Sequence, residues 1–461
     1  MFRRIAVVIA SALVITGVSA APSVAAPPDD DLPAVYTGTV DEKGLAAIIA
    51  LGVDRHDVVA TPADDGGVDV EVILGGDQAA ELAAKGFDLE PKPVAAPQQR
   101  LRLFSEPTGV FRTYGGAGGI QEELQQQASD NPTIAEYVEF GETINGTPIA
   151  AVRVTKNPAK ATPGDRPTTV FAAAQHAREW ITPEMVRRLL DEVVSGYGTD
   201  ARITELVDST EMWFIPVANP DGYDFTHEDP ANRLWRKNLR EINGTAGIQG
   251  GDGVDLNRNY PTRWGYDNEG SSPNPSSETY RGAEPASEPE TQALIDLFDQ
   301  ITPEFFVNYH SAAELLLYGI GWQVSTPSPD DVIYEAMVGD DANPAVEGYD
   351  PDISAELYTT NGDTDTHMQA AFGTLGFTPE MSTCQAVSDL YPDDEWEAGD
   401  CQSGFNFPDD EELIQEEYEK NVPFALAVAE SALDPDDPVS VVGLDAADFV
   451  VDSFDVSYGD P

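Results

Sequence analysis

Basic residues are scarce in this chain of 461 residues. Only 25 lysines and arginines stand against 82 aspartates and glutamates, which gives a net charge of −57 at neutral pH. Such a charge argues against nucleic acid and anionic membrane surfaces as partners. It would also keep a protein soluble where salt screens the repulsion, so the composition fits a saline habitat and a merely acidic secreted protein equally well.

Beyond residue 25 the chain has no apolar run approaching the ~20 residues that a membrane-spanning helix requires. The first 25 residues are different, because Arg3 and Arg4 precede an apolar run from Ile5 to Val18 that ends in small residues. This pattern is typical of a secretory signal peptide. We therefore expect residues 1–25 to be removed and the protein to be soluble and secreted, with no membrane partner.

Cysteine and histidine are also rare. The two cysteines, Cys384 and Cys401, most simply form one disulfide in an exported chain, which leaves neither a reactive thiol nor a cysteine-ligated metal site. The five histidines are His56, His176, His227, His310 and His367.

Residues 27–102 have the pattern of a small separate domain. Short strands and two helices follow in the order β-α-β-β-α-β, ending in a strand at Phe87, which is the ferredoxin-like arrangement. A proline-rich linker, residues 91–99, comes next, with Arg100 and Arg102 beside it. Exposed basic sites in such a linker are where a processing protease would cut.

Residues 103–433 alternate strands with helices, which predicts a mixed α/β sheet covered by helices on both faces. One strand is expected at Trp213–Val217, residues 219–284 are expected to be rich in loops, and a long acidic helix is expected at Asp409–Leu433. Residues 434–461 are interpreted as a linker and a partial β-like tail.

The main chemical pattern is His176 with Glu179, between a buried strand at Thr169–Ala174 and a helix that opens at Thr182-Pro183. Sites in open α/β sheets lie outside the carboxyl ends of strands. An imidazole and a carboxylate are two of the three protein ligands that a catalytic zinc takes. The pair alone also fits an ordinary turn, so a third ligand is needed. His310 is the best candidate, because it ends the strand FFVNYH.

The chain resembles the zinc carboxypeptidases of the carboxypeptidase A/B/T family over about residues 114–433. The pieces that carry the resemblance, in the family's order, are QHAREW, NPDGYDFTHEDPANRLWRKN, GVDLNRNYPTRWG, SSETYRGAEPASEPET, NYHSAAELLLYG and FTPE. The resemblance implies an α/β fold with a mixed eight-stranded sheet flanked by helices, preceded by a ferredoxin-like prosegment that covers the active-site mouth. It also implies a secreted, monomeric enzyme of bacterial type that acts on peptides or proteins with a free C-terminus.

The resemblance gives the site residues their expected roles. His176, Glu179 and His310 are implied to bind one zinc ion, and Glu380 in FTPE is implied as the general base. Arg236 would polarise the scissile carbonyl. The remaining assignments are Asn257, Arg258 and Tyr358 for the substrate's terminal carboxylate, Asp255 for orienting a zinc histidine, and Arg178 for a substrate subsite.

Preference for the C-terminal residue depends on two acids after Tyr358. Seven positions past this tyrosine, carboxypeptidase B-like members carry an acid and A-like members an apolar residue; this chain has Asp365. Asp363 falls where the broadly acting T-like members carry an acid. A carboxylate at the pocket floor would pair with Lys or Arg. It is equally open that these acids face solvent or a structural ion.

Two alternative functions predict different residues at the site. A cell-wall peptide hydrolase of the same superfamily would keep the zinc and the base but would usually change the arginine-asparagine clamp, which is intact here. An inactive binding module would lack the base or a ligand. The departures from the family are local: Pro379 precedes the base, and Ser382 replaces an arginine common two residues after it.

Overall fold

The computed structural model describes residues 32–54, 57–63, 66–92, 109–244, 247–324, 328, 330–390 and 401–443. The predicted signal peptide, most of the predicted linker with Arg100 and Arg102, and His56 lie outside these residues. So do residues 444–461 of the predicted tail.

The N-terminal unit, residues 32–92, has the predicted β-α-β-β-α-β order. Its elements are β1 (Ala34–Val40), α1 (Glu42–Ile49), β2 (Val58–Pro62), β3 (Val68–Leu74), α2 (Gly76–Ala84) and β4 (Glu90–Pro91). The strands form an antiparallel sheet in the order β2-β3-β1-β4. The prediction of a last strand at Phe87 is wrong, because Phe87 packs into the small core and pairing with Tyr36 and Thr37 begins only at Glu90.

Ten further strands lie in the described part of the large unit. They are β5 (Ala135–Glu142), β6 (Pro148–Val154), β7 (Thr168–Ala173), β8 (Glu211–Ile215), β9 (Phe305–Ser311), β10 (Leu315–Tyr318), β11 (Gly339–Asp340), β12 (Asn343–Pro344), β13 (Asp350–Ile353) and β14 (Leu375–Met381). Eight of them form one mixed sheet in the order β13-β10-β14-β9-β7-β8-β6-β5, while β11 and β12 pair separately. The eight-stranded sheet predicted from the sequence is confirmed.

The four central strands, β14, β9, β7 and β8, run parallel and are buried along their whole length. Parallel strands covered on both faces consist of nearly continuous apolar runs, as in the sequence TTVFAA of β7. Phe171 and Ala173 point into the larger core, and Val170 and Ala172 into the smaller one. This alternation places one core on each face of the sheet.

Ten helices of the large unit lie among the described residues. They are α3 (Ile120–Asp130), α4 (Ile181–Gly196), α5 (Ala201–Ser209), α6 (Pro220–Glu228), α7 (Pro289–Ile301), α8 (Asp331–Val338), α9 (Ser354–Leu357), α10 (Thr364–Phe372), α11 (Cys384–Leu390) and α12 (Glu411–Ser431). Helices α4 and α12 contribute to the larger core, and α7 contributes to the smaller one. None of the described helices is long and apolar enough to cross a membrane.

Several sequence-based boundaries differ from the structure. The loop-rich stretch contains α6, whose first turn is fixed by Pro220 and by the Asn219 side chain, which accepts from the N–H of Gly222. The strand predicted at Trp213–Val217 is β8, two residues earlier, where Glu211 can pair with the buried Arg153. Residues 434–443, the described part of the predicted linker and β-like tail, form turns.

The predicted disulfide between Cys384 and Cys401 is present. It closes a loop next to the contact between the two units, because Lys92 donates to the carbonyl of Gln402 at 2.9 Å. The end of the N-terminal unit, at Lys92, therefore contacts the large unit. Val35 and Ile73 of the N-terminal unit form a second contact, because they belong to the larger core.

Candidate active site

Three strands deliver the predicted site residues to one edge of the sheet. His176 lies three residues after β7, His310 lies in β9 and Glu380 lies in β14. The parallel register of β9 and β14 pairs His310 directly with Glu380. The parallel pairing of these two strands thus brings His310, the predicted third ligand, and Glu380, the predicted base, together at the carboxyl edge of the sheet.

The turn that carries His176 is held in an unusual conformation. Ala174, directly after β7, has a φ of 47°, a left-handed value that costs a non-glycine residue about 1–2 kcal/mol. Its N–H donates to the hydroxyl of Thr182, which itself donates to the carbonyl of Glu179. Thr182 therefore acts inside the turn. For this reason α4 begins at Ile181, before the Thr182-Pro183 start predicted from the sequence.

The side chains of His176, Glu179 and His310 converge. The Nδ1 atoms of the two histidines are 3.0 Å apart, and the Glu179 carboxylate lies 2.8 Å from one and 3.2 Å from the other. In the described part of the chain, these residues form a buried group whose ligand atoms all lie within 4.8 Å of one another. Two imidazoles and one carboxylate are a common donor set for catalytic zinc.

The electrostatics of this group suit a divalent cation. Burial alone would raise the pKa of Glu179, but the two imidazoles outweigh it and hold that pKa below its usual range. Burial lowers the pKa of His310, which favours the neutral imidazole that ligates metal. The outward Nε2 of His310 lies 2.9 Å from the amide of Asn308, so its Nδ1 faces the other ligands.

Asp255 connects the metal-ligating group to the arginines. One oxygen of this fully buried carboxylate lies 3.2 Å from Nε2 of His176 and accepts from the N–H of Asn257. Its other oxygen accepts from the guanidinium of Arg236 at 3.1 Å. Burial opposes the charge of Asp255, but Arg236 and His176 hold its pKa well below the usual value.

The predicted carboxylate clamp lies beside Arg236 and consists of Arg258, Asn257 and Tyr358. The guanidinium of Arg258 donates to the Tyr358 hydroxyl at 3.0 Å and to the Asn257 carbonyl at 2.7 Å. The side-chain oxygen of Asn257 accepts from the N–H of Thr364. The predicted clamp residues are therefore brought together, although they come from two distant parts of the sequence.

One cavity joins these groups. Its lining includes His176, Arg236, Arg258, Tyr358 and Glu380, together with both acids proposed for substrate preference. Asp365 is 8 % exposed and accepts from the Thr378 hydroxyl through one oxygen, while its other oxygen has no hydrogen-bond partner among the described residues. Burial raises the pKa of Asp365 to about 7.

The second acid, Asp363, is used differently. Its carboxylate accepts from the N–H of Thr366, where it caps α10, and from the hydroxyl of Thr360. The capping role satisfies the helix end, so Asp365 is the freer of the two acids toward the cavity. Two other histidines lie apart from the metal-ligating group, since His227 stacks on the ring of Trp180 and His367 contacts the Thr262 hydroxyl.

The N-terminal unit enters this site. A carboxylate oxygen of Asp54 lies 2.9 Å from Arg236 and 3.5 Å from Arg258, and it accepts from the Tyr358 hydroxyl at 3.0 Å. Asp57 forms an ion pair with the fully buried Arg178, whose guanidinium also lies over the ring of Phe405. Asp54 thus contacts the same groups that were predicted to hold a substrate carboxylate.

The family comparison identifies this arrangement. A family profile described as zinc carboxypeptidase matches residues 120–423. The chain belongs to the zinc carboxypeptidase family. It is a zinc-dependent peptide hydrolase, and His176, Glu179 and His310 are the residues whose donor set and burial fit the metal.

Similar proteins carry related names. Metallocarboxypeptidase A of Trichophyton rubrum is 33% identical over 295 residues, which cover 62% of this chain and 67% of the relative. Carboxypeptidase A2 of Mus musculus is 31% identical over 242 residues, which cover 52% and 54%. These alignments agree with the resemblance found in the sequence motifs.

Solved structures confirm the fold over a longer stretch. Thrombin activatable fibrinolysis inhibitor matches with a TM-score of 0.64 at 20% identity, covering 87% of this chain and 99% of that structure. Carboxypeptidase A from Helicoverpa armigera matches with a TM-score of 0.64 at 21% identity, covering 88% and 99%. At these identities the likeness concerns the fold alone.

Sequence reasoning missed the residues that reach the site from elsewhere. Asp54 and Asp57 are two of the many acids of a very acidic chain, separated by Arg55 and His56, so no pattern distinguished them. Asn308, two residues before His310, is a polar residue inside an apolar strand, and this was a usable signal. Thr378 lies in the FTPE motif, which carries part of the family resemblance, but no role was predicted for this residue.

We expect Asp255→Asn to weaken zinc binding 10- to 100-fold, because an amide orients His176 without supplying the charge that strengthens its bond to the metal. Competition with a chromophoric chelator measures the affinity. Asp252→Asn is the matched control, since Asp252 is a buried carboxylate nearby that bonds only to backbone N–H groups. Equal affinities for the two variants would show that Asp255 does not support the metal site.

Proposed function

We propose that this protein is a secreted, monomeric carboxypeptidase with one zinc ion, made as an inhibited precursor. It releases the C-terminal residue of peptides and proteins, with a preference for Lys or Arg. The observation that carries this proposal is the carboxylate clamp, which lies in the same cavity as His176 of the metal-ligating group and Glu380. A buried clamp for a terminal carboxylate restricts hydrolysis to the last peptide bond.

The chemistry needs a base and a fixed positive charge. Bound zinc supplies a water molecule of lowered pKa, near 7 in known enzymes. Glu380, beside His310 across the parallel strands, takes a proton from the attacking water and returns it to the leaving amine. Arg236 offers its guanidinium to the developing oxyanion, an interaction worth about 3 kcal/mol where one such donor is removed.

Arg236 and Arg258 are prepared for negative charge. Burial opposes the charge of Arg236, but Asp255 and Asp54 hold its pKa well above the usual value, and the pKa of Arg258 is also raised. Arg258 presents a planar fork that suits a carboxylate better than a lysine would. An intact clamp of this kind favours a carboxypeptidase over a cell-wall peptide hydrolase or an inactive binding module.

Substrate preference is assigned to Asp365. Its one oxygen without a hydrogen-bond partner among the described residues can accept from a Lys or Arg side chain that enters the cavity. Such a partner stabilises the ionised carboxylate and offsets the burial that raises its pKa. Broad preference is the second candidate, because Asp363 lines the same cavity.

The N-terminal unit is proposed to be an inhibitory prosegment, within residues 27–102. Asp54 lies where the terminal carboxylate of a substrate would bind, and Asp57 covers the subsite arginine Arg178. A substrate therefore competes with a carboxylate of the same chain. Cleavage in the linker after residue 92 would free the catalytic domain, residues 103–433.

The first test concerns the base. We expect Glu380→Gln to retain zinc but to lose turnover by a factor of 10² to 10⁴, because the ligands remain while proton transfer fails. Metal analysis and peptide hydrolysis are measured on the same preparation. Glu304→Gln is the control and should keep normal activity, because Glu304 lies at the end of β9 that is opposite to His310. Substantial residual turnover in zinc-loaded Glu380→Gln would reject the assignment.

The second test concerns inhibition. Asp54→Asn in the full chain should raise peptide hydrolysis at least tenfold, since breaking a buried charge pair costs roughly 2–5 kcal/mol of docking free energy. A chain beginning near Leu103 should be at least as active. Asp77→Asn changes an exposed acid of the same unit and should have no effect. If all four proteins hydrolyse peptide at one rate, the unit is a folding aid rather than an inhibitor.

The third test concerns preference and pH. Because the pKa of Asp365 is about 7, the carboxyl is mostly neutral at pH 6 and mostly ionised at pH 8. The ratio of Lys to Leu release should therefore rise over this range. Asp365→Ile should flatten this dependence and lower Lys or Arg release by about one to two powers of ten, while Leu release holds or rises. If the ratio of Lys to Leu release is independent of pH in Asp363→Asn and not in Asp365→Ile, Asp363 rather than Asp365 determines the preference.

A further inference from the structure

Leu32, two residues before β1, is buried in an apolar pocket of the large unit. It is 3 % exposed and clusters with Ala177 and Trp235, and three partly buried side chains pack around them. The Leu32 pocket consists of Ala177, Phe225, Trp235, Leu239 and Ile248. The ring of Phe225 meets that of Trp235 edge-on, with the centroids 5.6 Å apart.

The pocket is built on two segments of the active site. Ala177 lies between His176 and Arg178, and Trp235 directly precedes Arg236. The N–H of Ala177 donates to the carbonyl of Arg236 at 2.9 Å, which joins the two segments. The pocket is therefore held rigidly beside the metal-ligating turn and the oxyanion arginine.

The N-terminal unit contacts the active-site region through two carboxylates and one apolar side chain. Asp54 lies against the clamp and Asp57 pairs with Arg178, while Leu32 fills the apolar pocket. A substrate whose C-terminus is held by the clamp must extend its preceding residues out of the cavity, through the region that this unit covers. Leu32 then corresponds to an apolar side chain of that stretch, as Asp54 corresponds to the terminal carboxylate.

We propose that the Leu32 pocket is a subsite for an apolar substrate side chain on the N-terminal side of the scissile bond, vacated when the N-terminal unit leaves. The inference rests on the proposed function and adds an extended substrate preference to it. Ala177 and Trp235 are both fully buried with Leu32 in place, so removing Leu32 leaves apolar surface that a substrate can cover.

Charge in the pocket wall favours an apolar occupant over a basic one. The ammonium of Lys237 lies 5.5 Å from the centre of the Trp235 ring and is fixed there by the carbonyls of Pro275 and Ser277. A Lys or Arg side chain entering the pocket would meet this like charge. The subsite therefore selects differently from the Asp365 cavity.

The test uses the full chain after limited proteolysis of the linker at residues 93–99. Blocked hexapeptides carry a fixed C-terminal lysine and serine elsewhere, with one leucine moved from the second to the fifth position before the C-terminal residue. We expect one position to raise kcat/KM about tenfold or more, the gain from burying a leucine side chain. The double variant Leu239→Ser/Ile248→Ser should lose that gain.

Two further variants serve as controls, one for a failure to fold and one for a change away from the pocket. Leu239→Ala is a milder change that should reduce the gain if the double variant does not fold. Val439→Ser, at an exposed position away from the pocket, should keep it.

The outcomes separate this inference from the proposed function. Lysine release that is indifferent to leucine at every position would overturn the subsite while leaving the carboxypeptidase activity intact. A leucine gain that persists in the pocket variants would also overturn it, because another surface then binds the side chain. If no peptide loses its C-terminal residue, the proposed function fails and the subsite fails with it.

Discussion

The carboxylate of Asp255 holds the chemical groups of this site in one arrangement. It contacts a metal ligand, His176, through one oxygen and the oxyanion arginine, Arg236, through the other. It also accepts from the backbone of Asn257, where the clamp begins. A carboxylate with no exposure to water is costly unless all its lone pairs are used. Because each contact satisfies part of that need, the ligand, the arginine and the clamp are positioned together.

The same rule explains the place of the N-terminal unit. Arg178, Arg236 and Arg258 are all buried, and Asp255 alone does not balance three positive charges. In this structure, Asp54 and Asp57 supply further negative charge. Burial raises the pKa of Asp57 to about 7 even though Arg178 opposes the shift, so burial works against the charge of this contact. A substrate carboxylate can replace Asp54 at the clamp without leaving a guanidinium unpaired.

The strands of the sheet were predictable from short apolar runs. The members of the metal-ligating group and of the clamp lie far apart in the chain, so their roles were predicted through the resemblance of several short motifs to the zinc carboxypeptidases. TVFAAA and FFVNYH are recognisable as buried strands, and chain order places their ends at one edge. The contacts of Asp54, Asp57 and Leu32 could not be predicted, since they depend on how two units dock and no local pattern encodes that geometry. The start of α4 was misplaced for a related reason. Thr182 bonds within the turn instead of capping the helix, as only the three-dimensional path of Ala174 shows.

The scarcity of basic residues has a different meaning once the site is seen. Six of them are buried among the described residues, namely Arg153, Arg178, Arg187, Arg236, Lys237 and Arg258. Four of these six, Arg178, Arg236, Lys237 and Arg258, surround the cavity or the subsite beside it. Most of the buried positive charge therefore lies beside the cavity of an otherwise strongly negative protein, where salt screens it least. Under the proposed function, the outer charge would attract a peptide with basic side chains and the inner charge its terminal carboxylate, so the composition and the clamp agree with the same proposed class of substrate.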